Sequence, residues 1–301
     1  MEIKNIPQFP ELVQVSIEHK NLLQDSFLKL HPEISELNFT EIFMWADIKK
    51  MRLGRLRGNL CIFAEKEDFF YPPIGYNQFI ETIKDILDWQ KNNGKIPRIY
   101  GITDKILNRQ PELAAEFLLE DDRDCADYVY LIKDLIELNG RKYGGKRNLI
   151  RQFKKDYRFE YINITKKIIP DCLEFQKKWC ETHACIQNYP LHEENLAALE
   201  LLNNLSHLDA FGAVIKINGT VEAFTVGSEL NPDTAVIHLE KGNPTVKGIY
   251  QAINQMFCEN RLQNYTYVNR EQDMGSEGLR RAKMSYHPQH MVDKHILKMR
   301  I

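Results

Sequence analysis

Two short polar clusters hold the side-chain types that acyl-transfer and acid–base chemistry use. The first is His238-Leu239-Glu240-Lys241, which ends an apolar run. It leads through Gly242, Asn243 and Pro244 to a second Lys-Gly pair, Lys247 and Gly248, and then into a long helical pattern containing Tyr250. A carboxylate or an imidazole can accept a proton, and the backbone N–H groups at a helix start attract anions. The second cluster is Asn269-Arg270-Glu271-Gln272-Asp273, at the end of the strand-like run 265–268. If strands 234–240 and 265–269 flank one crossover helix, they run parallel and their carboxyl ends face the same crevice. Strand alternation puts Val236, His238 and Glu240 on one face, and Leu239 and Lys241 on the other; Tyr267, Asn269 and Glu271 share a face. Alone, each cluster is equally a charged strand end or a plain helix start, and His238 is equally a hydrogen-bonded core residue. Their convergence favours a site.

A third feature is basic. Between 140 and 158, Lys or Arg stands at 141, 142, 146, 147, 151, 154, 155 and 158, against the single acid Asp156. A helix begun by Gly144 and Gly145 places Arg147, Arg151 and Lys154 on one side, with Leu149, Ile150 and Phe153 as its buried stripe. Such a face suits the phosphates of RNA or a nucleotide; the plain alternative is a solvated helix face.

The elements that must position these residues follow from periodicity and breakers. The first half reads as helices over 11–30 and 33–49, strands near 52–56, 60–65 and 69–72, a helix over 77–92 stopped by Asn93-Gly94, a strand at 98–102, a short helix and a strand at 115–120. Ile34, Leu37, Ile42, Trp45 and Ile48 form the apolar stripe of the second helix. The second half repeats that order. Helices lie near 144–157, 167–183 and 192–206, followed by a hairpin turning at Asn218-Gly219, a strand ending in HLEK, the 246–261 helix, strand 265–269, a short helix and a terminal extended segment, MVDKHILKM. Antiparallel strands followed by a β–α–β unit imply a mixed sheet with a helix crossing over it. The repeated order implies duplication, with a junction near residue 134 and no Gly/Ser/Pro-rich linker. At the equivalent turn the first half carries FFYPPIGYNQFIETI, without Lys or Arg, so the second half is the one with a cationic helix start.

Composition excludes several classes. With 301 residues, 43% hydrophobic and 27% charged, the chain is an ordinary globular protein of one large or two medium domains. A net charge of −2 supplies no global field for nucleic acid. No apolar run approaches the ~20 residues of a membrane helix, and the N-terminus lacks a signal-peptide core. The cysteines at 61, 125, 172, 180, 185 and 258 form no CxxC pair and read as reduced thiols of a cytoplasmic protein. His183 between Cys180 and Cys185 is the one metal-like cluster, and no further ligands accompany it, so no metal is expected.

GRKYGGKRNLIRQF, HLEKGNPTVKGIYQAINQMF and YVNREQDMGSEGLRRAKMSYHP together resemble the phosphatidylglycerol lysyltransferase C-terminal-domain family. The resemblance covers most of the second half by motif and the first half by element order. It implies an α+β chain of two tandem GNAT (acyl-CoA N-acyltransferase-like) domains, 1–134 non-catalytic and 135–301 active, related to the Fem aminoacyltransferases. It also implies an acyl or aminoacyl transferase whose donor is aminoacyl-tRNA, with tRNA and a small-molecule or peptide acceptor as partners and no tightly bound cofactor. Two departures stand out. The lipid-modifying members carry a membrane-embedded N-terminal region that has no counterpart here. The turn GNPTVKG also spaces Gly242 and Gly248 too widely for the R/Q-x-x-G-x-G/A turn of acetyl-CoA enzymes, which makes acetyl-CoA the less favoured donor.

On this reading the amides of 246–249, with Lys247 and Lys241, hold donor phosphate or oxyanion. Glu240 or Glu271 is the base, with His238 as the alternative, and Tyr286 protonates the leaving group. Gly242, Asn243, Gly248, Tyr250, Asn269, Arg270 and Asp273 line the donor pocket, while Arg141, Lys142, Lys146 and Arg147 contact an RNA-sized donor. The rival expectation is a non-catalytic GNAT-fold protein that binds a small anionic ligand or a peptide.

Overall fold

Gly54 and Gly58 lie in or beside the first tight hairpin of the chain, and the Arg57-Gly58 turn, with φ of 51° and 81°, is of the kind that matches strand twist. In the computed structural model, which describes residues 6–300, that hairpin belongs to the first of two seven-stranded sheets. Its strands are β1 (Val13–Gln14), β2 (Met51–Leu56), β3 (Asn59–Ala64), β4 (Phe69–Phe70), β5 (Arg98–Thr103) and β6 (Phe117–Asp121), plus the last strand of the chain, Lys294–Met299. The order is β1-β2-β3-β4-β5, then Lys294–Met299, then β6. The β4/β5 pair is parallel and its neighbours are antiparallel. Helices α1 (Lys20–Leu30), α2 (Phe39–Trp45), α3 (Phe79–Asn92), α4 (Asp104–Arg109) and α5 (Glu112–Glu116) complete this part. The apolar face of α3 (Phe79, Ile83, Ile86, Leu87) closes the core over Phe63, Phe70 and Ile99.

The expected 11–30 and 33–49 helices are shorter. Residues 13–14 pair with Leu53 and Arg52 as an edge strand, so helix begins only near Ile17. Asn38 caps α2, its Oδ1 accepting from the Thr40 and Glu41 amides, and this side-chain bond starts the helix at Phe39. Ile34, Leu37 and Ile42 are buried all the same.

The second sheet contains β7 (Asp127–Leu131), β8 (Phe159–Asn163), β9 (Ala210–Ile217), β10 (Thr220–Asn231), β11 (Thr234–Gly242), β12 (Tyr267–Asn269) and β13 (His290–Val292), in the order β13-β7-β12-β11-β10-β9-β8. Strand β8 had no expectation from sequence. The β9/β10 turn is Asn218-Gly219, at φ 51° and 81°, as the Asn-Gly pair demands. Helices α6 (Ile132–Glu137), α7 (Gly144–Asp156), α8 (Ile169–Thr182), α9 (Tyr189–Asn204), α10 (Ile249–Arg261) and α11 (Glu277–Met284) follow, and β14 is Lys294–Met299. One core joins α10 (Ile249, Ala252, Ile253, Met256) to Phe153 of α7 and to Ile215 and Ala223 of the sheet.

The chain divides into two units, but not at 134. One contains the chain through Asp127, Gln272–Arg280 and the segment from Met291 onward; the other contains Tyr128–Glu271 and Arg281–His290. The cause is an exchange of strands. Strand β7, which lies at the end of the first half in sequence, pairs with β12 of the second sheet. Strand β14, expected to close the second half, lies between β5 and β6 of the first. Both are apolar enough to serve either sheet, so their partners are a matter of pairing and not of local pattern.

Candidate active site at the splayed strands

Strands β11 and β12 pair in parallel over only three residues, Thr234↔Tyr267, Ala235↔Val268 and Val236↔Asn269. β12 stops at Asn269 while β11 runs on to Gly242. Beyond Val236 the edge of β11 that faced β12 therefore has no strand beside it, and the chain opens a wedge at the carboxyl ends of the two strands. On the other edge, the β10/β11 register shifts by one. Val226 opposes Leu239 and Gly227 opposes Ile237, so His238 is the extra residue of a β-bulge. Gly227 permits this, since a Cβ there would lie 2.4 Å from the Val236 carbonyl oxygen.

The bulge turns His238 into a closed hydrogen-bonded group. Its Nε2 is 2.8 Å from Ser228 Oγ and its Nδ1 is 3.1 Å from Glu271 Oε1, with the imidazole fully buried. Asn269 Oδ1 accepts from the Glu271 amide at 2.7 Å, and this turn holds Glu271 at φ +56°.

Glu240, two residues on, meets the next charge. Its Oε1 accepts from Arg270 Nη2 at 2.9 Å and its Oε2 accepts from Asn254 Nδ2 at 3.1 Å. Both charged side chains are nearly out of solvent, at 12% and 13% exposure. The Arg270 guanidinium lies 5.0 Å from the Tyr286 ring centroid and 5.6 Å from that of Tyr130. Burial is the largest influence and works against its charge, but Glu240 together with Tyr130, Tyr286 and Cys258 outweighs it and keeps the guanidinium pKa above its ordinary value. Arg270 Nη1 is buried without a hydrogen-bond partner. An unpaired cationic N–H of this kind is costly and waits for an oxygen.

Tyr286 closes the group. Burial pushes its phenol pKa up, only partly opposed by Arg270, so the hydroxyl keeps its proton at neutral pH. Its backbone is pinned by Tyr143, whose hydroxyl donates to the Tyr286 carbonyl at 3.0 Å, and Tyr130 donates to the Lys283 carbonyl at 2.9 Å. Lys146, expected on the RNA face, turns inward instead. Its Nζ sits 4.0 Å above the Tyr286 ring and donates to Ser285 Oγ at 2.6 Å.

The structure thus brings His238, Glu240, Asn269, Arg270, Glu271, Tyr286 and Lys146 into one unit, and holds other expected pocket residues elsewhere. Lys241 points off the opposite face, where it is buried against the Trp179 ring at 4.0 Å and paired with Glu194. Gly242 and Asn243 build the turn. Tyr250 donates to the Gly242 carbonyl at 2.8 Å, and Asn243 bonds Glu222 and the Thr245 amide. Gly248, at φ +84°, lets α10 approach α7, since a Cβ would meet the Leu149 carbonyl at 2.5 Å. Helix α10 starts at Ile249, whose amide bonds the Val246 carbonyl, and Lys247 is exposed at the turn. Asp273 is fully buried in a two-pronged pair with Arg280, both contacts 2.8 Å, within the first unit. Arg147 bonds the Leu138 and Gly140 carbonyls and, with Arg151, Lys154, Ile150, Glu137 and Gln255, lines a groove of about 320 Å³. Arg141 and Lys142 are exposed. Cys180 and Cys185, expected as free thiols, are placed as a disulfide pair with Cα atoms 5.1 Å apart, because the turn after α8 folds back on itself. His183 stacks on Trp179 at 3.9 Å, with its Nδ1 2.8 Å from the Trp179 carbonyl oxygen.

Three participants escaped the sequence reading. Asn254 is a polar residue on the buried stripe of α10, Ser228 a hydroxyl within an apolar strand, and Tyr130 an aromatic of the exchanged strand. For the first two, a polar group at a core position is a readable signal.

The model of the phosphatidylglycerol lysyltransferase C-terminal family matches residues 28–298. The chain belongs to that family. An uncharacterized protein of Mycoplasmoides gallisepticum is 24% identical over 189 residues, a match spanning 58% of this chain and 56% of that protein's length. A conserved protein of unknown function from Bacteroides thetaiotaomicron superposes with a TM-score of 0.89 at 27% identity, covering 96% of this chain and 99% of that one. L-PGS from Bacillus licheniformis superposes at 0.63 with 17% identity, over 98% of this chain and 94% of its own. FemX (TM-score 0.58, 10% identity, 96% and 97% coverage) and a tandem GNAT protein of the clavulanic acid pathway (0.50, 7%, 95% and 97%) share the fold alone. The fold is the tandem GNAT arrangement. No described helix is long and apolar enough to cross a membrane.

Proposed function

We propose that this chain transfers an aminoacyl group from aminoacyl-tRNA to an amine or hydroxyl on a small molecule or peptide, with chemistry in the second unit. The observation that carries this reading is the buried Arg270 Nη1 without a hydrogen-bond partner, on a guanidinium that follows β12 and lies 5.0 Å from the ring of Tyr286, whose phenol keeps its proton. Ester aminolysis builds negative charge on the acyl carbonyl oxygen, and a fixed cationic N–H stabilises that charge. Glu240, itself held by Asn254, fixes the guanidinium. Tyr286 supplies the proton that the departing ribose oxygen needs. The Arg147–Arg151–Lys154 groove offers cations to the tRNA backbone. The turn at Gly242–Gly248 is built from internal hydrogen bonds and lacks the acetyl-CoA spacing, so aminoacyl-tRNA is favoured over acetyl-CoA as donor.

Total tRNA charged with radiolabelled amino acids tests the reading. Transfer appears as label leaving tRNA for an amine- or hydroxyl-bearing product faster than spontaneous hydrolysis releases free amino acid, and Arg270→Met abolishes it. Label that leaves tRNA only as free amino acid, at the same rate with and without protein, contradicts it. The non-catalytic binding reading has its own support, because Glu240 and His238 have their polar atoms occupied internally. It predicts donor binding without turnover.

A further inference from the structure

The groups first expected to act as base are engaged by other parts of the protein. Glu240 holds Arg270 and Asn254 through both oxygens, and His238 is bonded at both ring nitrogens, to Ser228 and Glu271. Transfer to an amine or hydroxyl still requires that a proton be taken from the nucleophile. One basic side chain of this unit stands over the Tyr286 ring from a different element. On α7, Lys146 shares its side of the helix with Phe153, which is buried in the core, whereas Arg147, Arg151 and Lys154 line the outer groove with Ile150. Its Nζ lies 4.0 Å above Tyr286 and donates to Ser285 Oγ at 2.6 Å.

We propose that Lys146 is the catalytic base of the transfer, with its amine facing the acceptor across the Tyr286 ring. The inference rests on the transferase reading given above. In the step, the neutral Lys146 Nζ takes the proton of the attacking N–H or O–H as the new bond to the acyl carbon forms. The ester C–O bond then breaks, and the Tyr286 hydroxyl gives its proton to the leaving ribose oxygen. The resulting ammonium and phenolate neutralise each other by one proton transfer, which restores both groups. Atoms and charge balance without any further reactant.

The surroundings fit that task. Burial first, and the neighbouring Arg270 second, lower the Lys146 pKa from its ordinary value, so a larger share of the amine is free near neutral pH. The titratable and charged groups acting on it are Tyr286 on the 281–290 segment, whose ring lies under its Nζ, and Arg270 after β12, whose charge opposes its own.

Two measurements test the role. In the transfer assay, Lys146→Arg keeps the cation and its place over Tyr286 but cannot be a free amine, and Lys146→Gln keeps a hydrogen bond to Ser285. With Lys146 as base, kcat/KM of the wild type rises with pH toward the lowered lysine pKa. Both variants lose at least a hundredfold in rate and lose that pH dependence, with donor affinity and melting temperature unchanged. A Lys146→Arg enzyme within threefold of the wild type, on the same pH profile, overturns the proposal. Independently of activity, trace labelling with an amine-reactive reagent across pH gives the titration of Lys146 in the native protein. A midpoint below that of the exposed lysines supports the proposal, and one at or above theirs overturns it. If the wild type transfers nothing from aminoacyl-tRNA, the transferase reading falls, while the labelling result still reports on Lys146 itself.

Discussion

Glu240 and Arg270 illustrate how a charged pair becomes a site at the scale of single residues. Each is almost removed from water, and each is tolerable only because the other is there. Glu240→Gln leaves the guanidinium as an uncompensated buried charge, and Arg270→Met does the same to the carboxylate. Each should cost roughly 3 kcal/mol in denaturant unfolding, while the double variant should recover most of that loss. Additive losses in the double-mutant cycle would show that the two charges are not coupled. Sequence spacing put Glu240 and His238 on one face of the strand and Lys241 on the other; the bulge at His238 breaks that alternation, and only the opposition of Glu240, toward Asn254, and Lys241, toward Trp179, holds. Spacing did not reveal that Lys146 belongs inside. Helix α7 is basic around most of its circumference, and the i, i+7 relation of Lys146 to Phe153 is hidden among its exposed neighbours.

At the scale of elements, the wedge exists because β12 is three residues long and β11 nine. The sequence pattern placed both strands, at 234–240 and 265–269, but not that difference, because Tyr265 and Thr266 read as strand and lie outside β12. The bulge at His238 could not be read either, because a one-residue register shift leaves no mark on an apolar strand beyond Gly227, which is equally a packing glycine. Helix α7 works on two faces, one toward Tyr286 and one forming the groove of Arg147, Arg151 and Lys154. Arg151→Ala and Lys154→Ala should weaken tRNA binding by a similar factor for every tRNA. In a salt titration of the binding constant, each should reduce the log–log slope by about one. An unchanged slope would remove this face from the tRNA path.

For the whole molecule, the repeated order of elements was legible from the chain, and the exchange of β7 and β14 was not, because pairing partners lie more than a hundred residues away in sequence. Strand β14 is fixed in the first unit by Lys294, whose Nζ donates to both Glu36 oxygens at 2.8 and 2.7 Å and to Asp127 Oδ1 at 2.7 Å. Burial opposes that charge, yet Asp127 and Glu36 outweigh it and raise the lysine pKa above 10.5. A raised cationic pKa contributes stability that is complete below 10.5 and is lost as pH rises through the folded value. Wild-type unfolding free energy should therefore fall steeply in alkaline solution above that pH. Lys294→Met should start about 3 kcal/mol lower and lose this slope; parallel alkaline slopes would exclude Lys294 as its source. The central claim is that the wedge of the second unit recognises an aminoacyl group through Arg270. It is tested most directly by fluorescence anisotropy with a non-hydrolysable amide-linked aminoacyl-tRNA and with the same tRNA uncharged. The account predicts tighter binding of the charged form, by tenfold or more, and loss of that preference in Arg270→Met with affinity for uncharged tRNA unchanged. Equal affinity of the wild type for the two tRNAs would contradict it.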